Sequence, residues 1–513
     1  MHAFETILTV LFGAVVLSLL ARRLNAPFPP FLALGGAAAA FLPFAPDLRL
    51  DPELALALFV APVLLDAAFD SSPRDLKRNL APILFLSVLA VGVTVVAVAL
   101  TARGLRPELG WAAAIALGAI VAPPDAAAAT AVLRAVPVPH RIRTILEGES
   151  LFNDATSLLA YRLAVTAAVS GLTVGWPLVG TVLWALLGSV AAGFASAWTI
   201  RLVLRGVDDA PNSILLQFIS TFGVWILAER LGLSAIITVV VHAMVTARLA
   251  ARTPAAVRAP SYAVWESVVF ALNAMAFVMV GLQVGPLWRD LEPVQRAEYS
   301  LFALAVLAAA ILARIVWVLV YYGASRLWAR RSQAKAPDRA PPTAGSALVV
   351  GWSGMRGVVS LAAAYALPQD FPARDLLLLA TFAVVMGTLV IQGLTLGAVI
   401  RLLKLKDDGI LAEEIRRARE AVLGAALARL QHEPAEPAER LRSHYNEHLQ
   451  AVRASGGDGV VELEQDRLSR AVLTAKREAL LSLRVVGGIG EAAYYRLEEE
   501  LDRHELSLIP VVR

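Results

Sequence analysis

Hydrophobic positions along this chain come in long, nearly unbroken apolar runs, separated by short polar or basic connections. Thirteen runs lie near residues 4–21, 27–44, 54–70, 80–102, 110–133, 144–169, 177–204, 212–229, 233–250, 262–286, 300–322, 345–368 and 375–402. A helix of about 20 apolar residues crosses the hydrocarbon of a bilayer. Only helices and closed barrels satisfy their backbone groups there. The pattern predicts an all-α polytopic membrane protein. Beyond the last run the period changes to that of amphipathic helices, expected over 410–431, 438–454, 460–485 and 491–504. The chain therefore reads as a transmembrane domain, 1–402, followed by a small helical tail, 403–513.

Composition agrees: 58% of the 513 residues are hydrophobic and 17% charged. There is no cysteine, which rules out disulfides and thiolate metal sites. The first run has no basic region before it and reads as a retained helix, not a cleaved signal. The net charge of +4 divides into about +7 up to residue 403 and −3 beyond it. The excess of positive charge lies in the loops at a membrane surface and does not point to nucleic acid. Placing the N-terminus outside puts 18 basic residues on cytoplasmic connections, among them Arg74, Lys77, Arg141, Arg143, Arg326 and Arg330, against 7 on the others. That ratio predicts a cytoplasmic tail.

Within this apolar background a few polar residues stand out, and ionisable groups in hydrocarbon are functional candidates. The sixth run holds Glu147, Glu149, Ser150, Asn153, Asp154 and Arg162. Ser150 and Asp154 are one helical turn apart, as are Glu149 and Asn153, and the two pairs occupy adjacent faces. An oxygen-lined stripe of this kind suits a hard cation. In the fifth run Pro123 and Pro124 precede Asp125. The two prolines donate no hydrogen bond, so the carbonyls of Ala119 and Ile120 are freed, as at the broken helices of secondary transporters. The twelfth run carries Gly351, Gly354 and Gly357 around Arg356, for which Glu149 is the first candidate partner. Arg314 in the eleventh run either balances charge in the same way or snorkels to the cytoplasmic surface. Asp66 lies deep in the third run; Glu266 and Asn273 in the tenth and His242 in the ninth are access-path, pH-sensing or packing groups. The interrupted fifth and twelfth runs are seven apart, which fits an inverted repeat of two six-helix units with the seventh as linker.

These motifs resemble those of the monovalent cation:proton antiporters of the sodium/proton exchanger type. EGESLFNDA looks like the family signature, VAPPDAAAATAVLR its broken fifth helix, GMRGVVSLAAAYALP its arginine-bearing twelfth and LLDAAFDSSPRDLKRN its third. The resemblance covers residues 1–402. It implies 13 membrane helices, a six-helix ion-carrying core, a dimerisation domain and a homodimer in the bacterial inner membrane. It implies that the transported cation binds Asp154, Ser150, Asp125 and the carbonyl at Pro124, with Asp66 completing the site. Asn153 would orient the neighbourhood of Asp125, and Glu149 and Arg356 would form the core ion pair. Two departures are visible: Asp66 stands where a glutamate is frequent, and Pro124 where threonine is usual.

The expected chemistry is competition. Burial penalises a charged carboxylate, so Asp154 takes either a proton or a cation, and alternating access exchanges one for the other without a resident cofactor. With asparagine preceding Asp154, the expectation is electroneutral one-for-one exchange of Na⁺ (or Li⁺) for H⁺. The alternatives are K⁺/H⁺ antiport by the same machinery, a cation channel, or an intramembrane enzyme built on Ser150. No filter-like carbonyl ring is apparent for a channel, and no convincing base accompanies Ser150.

Overall fold

A computed structural model describes residues 2–485 apart from 25, 43–50, 134–135, 171–175, 208, 251–252, 290–292, 332–342, 432–434 and 455–463, together with 497 and 500–503. Among the expected basic loop residues, Arg49, Arg134, Arg252, Lys335 and Arg339 lie outside the described residues. The chain divides into two compact units, Met1–Lys406 and Asp407–Arg513.

Each expected span is a helix or a broken pair of helices. In chain order they are α1 (His2–Arg23), α2 (Phe28–Ala39), α3 (Pro52–Asp70), α4 (Leu80–Leu105), α5a and α5b (Trp111–Val121, Ala126–Leu133), α6 (His140–Ser170) and α7 (Trp176–Leu204). They continue with α8 (Ala210–Arg230), α9 (Ala235–Ala250), α10 (Ala255–Leu282), α11 (Pro293–Arg331), α12a and α12b (Ala344–Trp352, Val358–Tyr365) and α13 (Arg374–Leu402). Among the described residues, eight helices are long and apolar enough to cross a membrane; α2, α5a and α9 are shorter apolar helices.

Local chemistry sets the boundaries. Asp51 caps α3 by accepting from the amides of Glu53 and Leu54, Asp209 caps α8 and Thr343 caps α12a. The tight turn expected between Glu229 and Leu233 is a glycine-closed helix end: Gly232 has φ +68°, and the Leu233 amide donates to the Ala228 carbonyl at 2.9 Å.

Two groups of helices form. In one, α4, α5a, α5b, α6, α11, α12a, α12b and α13 pack on one another; in the other, α1, α2, α3, α7, α8, α9 and α10 do so. The first group is built from the fourth to sixth and eleventh to thirteenth spans, so corresponding halves of the two six-helix units meet. Large apolar side chains of α1 and α7, including Phe12, Trp184, Leu187 and Trp198, remain exposed, as befits surfaces that face lipid. In the unit Asp407–Arg513 the helices are Ile410–Leu430, Ala435–Ala454 and Glu464–Val485. Most of the helix expected over 491–504 lies outside the described residues.

Candidate functional site

The two broken spans meet where each loses its helical hydrogen bonds. Pro123 and Pro124 end α5a at Val121, and the Asp125 amide bonds across to the Met355 carbonyl of the other break at 2.6 Å. Three carbonyls at this break find a side-chain donor. Ser157 of α6 donates to Ala119, Arg356 Nε donates to Val121 at 3.0 Å, and Asn153 Nδ2 donates to Pro124 at 2.7 Å. An unmet buried carbonyl costs about 1–3 kcal/mol, so these three side chains hold the interruption open.

Charge is arranged on the exposed helix ends. The Arg356 guanidinium, fully buried, also donates to the Gly354 and Ala310 carbonyls. It therefore lies at the C-terminal end of α5a and just beyond that of α12a, where partial negative charge gathers. Its own amide donates to Thr388 Oγ1 of α13 at 3.0 Å. The Asp125 carboxylate is at the opposite poles. Its Oδ1 accepts from the Ala127 amide at 2.8 Å, as an N-terminal cap of α5b, and its Oδ2 abuts Gly357, the residue before α12b.

Asp154 stands beside this crossing on α6, buried, and is tied through Asn153 to Pro124, the residue before Asp125. Its amide is held by Asn153 Oδ1 at 2.6 Å. Among the described residues no hydrogen bond reaches its carboxylate. Of the two acids, Asp125 is committed to backbone amides and Asp154 retains its acceptor capacity. Ser150 is half-buried one turn before Asp154 on the same face.

One expectation is corrected. The expected Glu149–Arg356 pair does not form. Glu149 is paired instead with Arg314 of α11, Nη1 to Oε1 at 2.5 Å and Nη2 to Oε2 at 2.9 Å, with side chains 1% and 3% exposed. The reason is geometric: α12 is broken at Arg356, and its free carbonyls, with those of α5a and α11, satisfy that guanidinium. Arg314, on an unbroken helix, has no such supply apart from the Val350 carbonyl at 3.2 Å. Arg314 thus balances charge and does not snorkel. Among the described residues no group of three or more acidic or histidine side chains is gathered closely enough to hold a metal ion. Asp66, half-buried, sits on α3, which packs chiefly against α9 of the other helix group. His242 is buried with its Nδ1 3.0 Å from Ser196 Oγ, a packing contact between α7 and α9.

Sequence reasoning missed Ser157 and Thr388. Ser157 was within reach, because it follows Ser150 and Asp154 on one face of α6. Nothing in the apolar sequence around Thr388 marks it.

Known proteins resemble this chain in sequence and in fold. The family described as sodium/hydrogen exchanger, transmembrane, matches residues 7–402. A Na⁺/H⁺ exchanger of Mycobacterium tuberculosis, itself uncharacterised, is 30% identical over 98% of this chain and 96% of its own length. The sodium, potassium, lithium and rubidium/H⁺ antiporter of Bacillus pumilus is 29% identical over 94% of this chain and 74% of its own. The solved structure of the sodium proton antiporter MjNhaP1 of Methanocaldococcus jannaschii superposes with a TM-score of 0.59 at 16% identity, over 79% of this chain and all of that one. The last shows the fold, and the extent of the family match shows the lineage: the chain belongs to the transmembrane sodium/hydrogen exchanger family.

Proposed function

We propose that this protein is a secondary antiporter that exchanges Na⁺ or Li⁺ for H⁺, one for one, at Asp154. The observation that carries the reading is the contrast between the two neighbouring acids. Asp125 is fixed by backbone amides, whereas Asp154 is buried with its carboxylate unbonded among the described residues. A proton or a cation offsets the cost of burying that carboxylate, and only one can do so at a time. Moving a bare carboxylate through hydrocarbon is costly. The helices therefore rearrange when Asp154 is neutralised, which couples the two fluxes.

In this reading the cation is held by Asp154, Ser150 and Asp125, with the Pro124 carbonyl nearby and Asp66 approaching in another conformation. Asn153 fixes the break, and the Glu149–Arg314 pair and Arg356 balance charge within the helix group that carries the site. No resident cofactor is needed, and no step of the exchange makes or breaks a covalent bond other than to a proton. The loop charges favour an N-terminus outside and a cytoplasmic tail in the inner membrane. The exposed apolar faces of α1 and α7 are where a homodimer would join.

The test is dye-reported ΔpH in proteoliposomes challenged with Na⁺, Li⁺ and K⁺. Wild type is expected to show cation-dependent proton flux that Asp154→Asn abolishes. Exchange surviving in Asp154→Asn would remove the centre of the proposal. The Bacillus relative, whose name includes potassium, makes K⁺/H⁺ exchange the second reading. A response to K⁺ exceeding that to Na⁺ would select it.

A further inference from the structure

Gly351, Gly354 and Gly357 recur every third residue, a spacing that in membrane helices commonly serves close packing. The structure separates their roles. A Cβ on Gly351 would meet the Ile315 backbone at 3.3 Å, a contact relieved by a small shift. A Cβ on Gly354 would run into the stem of Arg314, 2.7 Å from its Nε. A Cβ on Gly357 would run into the Asp125 side chain: against Oδ2, 2.5 Å from Cγ and 2.8 Å from Cβ.

The Gly357 backbone does not itself require glycine. Its φ of −134° and ψ of −155° are extended, open to any residue. Nor does Asp125 have freedom to step aside. Its amide is tied to Met355 at 2.6 Å and its Oδ1 to the Ala127 amide at 2.8 Å. The glycine is needed because of its neighbour.

We propose that Gly357 is a positioning residue for the transported cation. Its missing side chain admits the Asp125 carboxylate between the starts of α5b and α12b, and so sets how that carboxylate faces Asp154. The inference rests on the reading of Asp125 and Asp154 as cation ligands given above. An added methyl group pushes Asp125 from this place, weakens cation binding and changes the preference between Li⁺ and Na⁺, whose ligand distances differ.

The experiment compares wild type, Gly357→Ala, Gly351→Ala, Asp125→Gly and the double variant Asp125→Gly/Gly357→Ala. Cation titrations of exchange in proteoliposomes are paired with thermal melting of the same preparations. Gly357→Ala is expected to raise the apparent KM for Na⁺ about tenfold, equivalent to about 1.4 kcal/mol of binding, with a smaller change in maximal rate and an altered Li⁺:Na⁺ ratio. Gly351→Ala stays near wild type. The melting penalty of Gly357→Ala shrinks when Asp125 is glycine, a residue tolerated at a helix N-cap. An unchanged KM in Gly357→Ala overturns the proposal, as does an equal melting penalty in both backgrounds. If Gly357→Ala does not insert, recovery of expression in the double variant supports the role and the same failure there overturns it. Loss of the underlying functional reading is visible separately, as wild type without cation-dependent ΔpH or Asp154→Asn that still exchanges, and the proposal falls with it.

Discussion

Asn153 shows how much one uncharged residue does here. Its amide nitrogen holds the Pro124 carbonyl and its amide oxygen holds the Asp154 amide, so it fixes both sides of the site with no charge of its own. Asn153→Ala leaves a buried carbonyl unmet and is expected to cost about 1–3 kcal/mol, seen as a lower melting temperature together with weaker apparent Na⁺ affinity. The Glu149–Arg314 pair makes a sharper case. Removing one partner strands a buried charge, which costs about 3–5 kcal/mol, whereas replacing both costs far less. Arg314→Met should therefore melt well below wild type, and Glu149→Gln/Arg314→Met should recover most of the loss; a double variant as unstable as the single would show that the pair is not the unit of stability. In the unit Asp407–Arg513, hydrogen bonds from Arg416 and Arg417 hold the Glu413 carboxyl down to about 2, from an ordinary value of 4.5. A lowered carboxylate supports the fold above its unfolded value and loses that support as pH falls through its folded one. The helix Ile410–Leu430 should thus lose this contribution only between pH 4.5 and 2, and a carboxyl NMR titration of Glu413 checks it. Residues of the site were legible wherever charge interrupted hydrocarbon, as at Asp125, Asp154 and Arg356. Pairing was not legible: whether Glu149 meets Arg314 or Arg356 depends on which helix supplies spare carbonyls at the crossing, and that is a property of two breaks coming together.

At the level of elements, the prolines marked the break in α5 because a missing donor is written in the residue itself. The break in α12 has no proline; only its glycines signalled it. What no local signal announces is that the breaks stabilise one another. Proline within a helix costs about 3 kcal/mol or more, and here Ser157, Arg356, Asn153 and the Asp125–Met355 backbone bond offset the cost. Pro123→Ala/Pro124→Ala restores two amide donors and lets α5a run on towards α5b, in competition with those side chains. The expected result is a melting temperature at or above wild type with exchange reduced at least tenfold. A variant that transports normally would mean that the interruption is incidental to transport.

For the whole molecule, polar contacts between the two helix groups indicate how access is controlled. Arg162 of α6 bonds both oxygens of Glu229 at the end of α8, each at 2.8 Å, and Tyr365 at the end of α12b donates to Gln283 beyond α10 at 2.8 Å. All four residues belong to the later parts of even-numbered spans or directly follow them, so they lie on one side, the outer side if the loop charges are read as proposed. Arg162 and Glu229 also line a cavity with Ala155, between α6 and α7–α9. An exposed pair of this kind is worth about 0.2–1 kcal/mol and a neutral hydrogen bond about 0.5–1.5 kcal/mol. Together they shift a two-state equilibrium by roughly threefold to seventyfold, since 1.4 kcal/mol is a factor of ten. That is enough to favour closure at the outer ends without locking it. Because the chain has no cysteine, a single Ala155→Cys reports on the cavity without background. Labelling by a membrane-impermeant thiol reagent from outside should accelerate several-fold when Arg162→Gln and Tyr365→Phe are added, and the acceleration should be smaller when Na⁺ is saturating on the cytoplasmic side only. Equal labelling rates with and without the two substitutions would mean that the contacts decorate the outer ends without holding them shut.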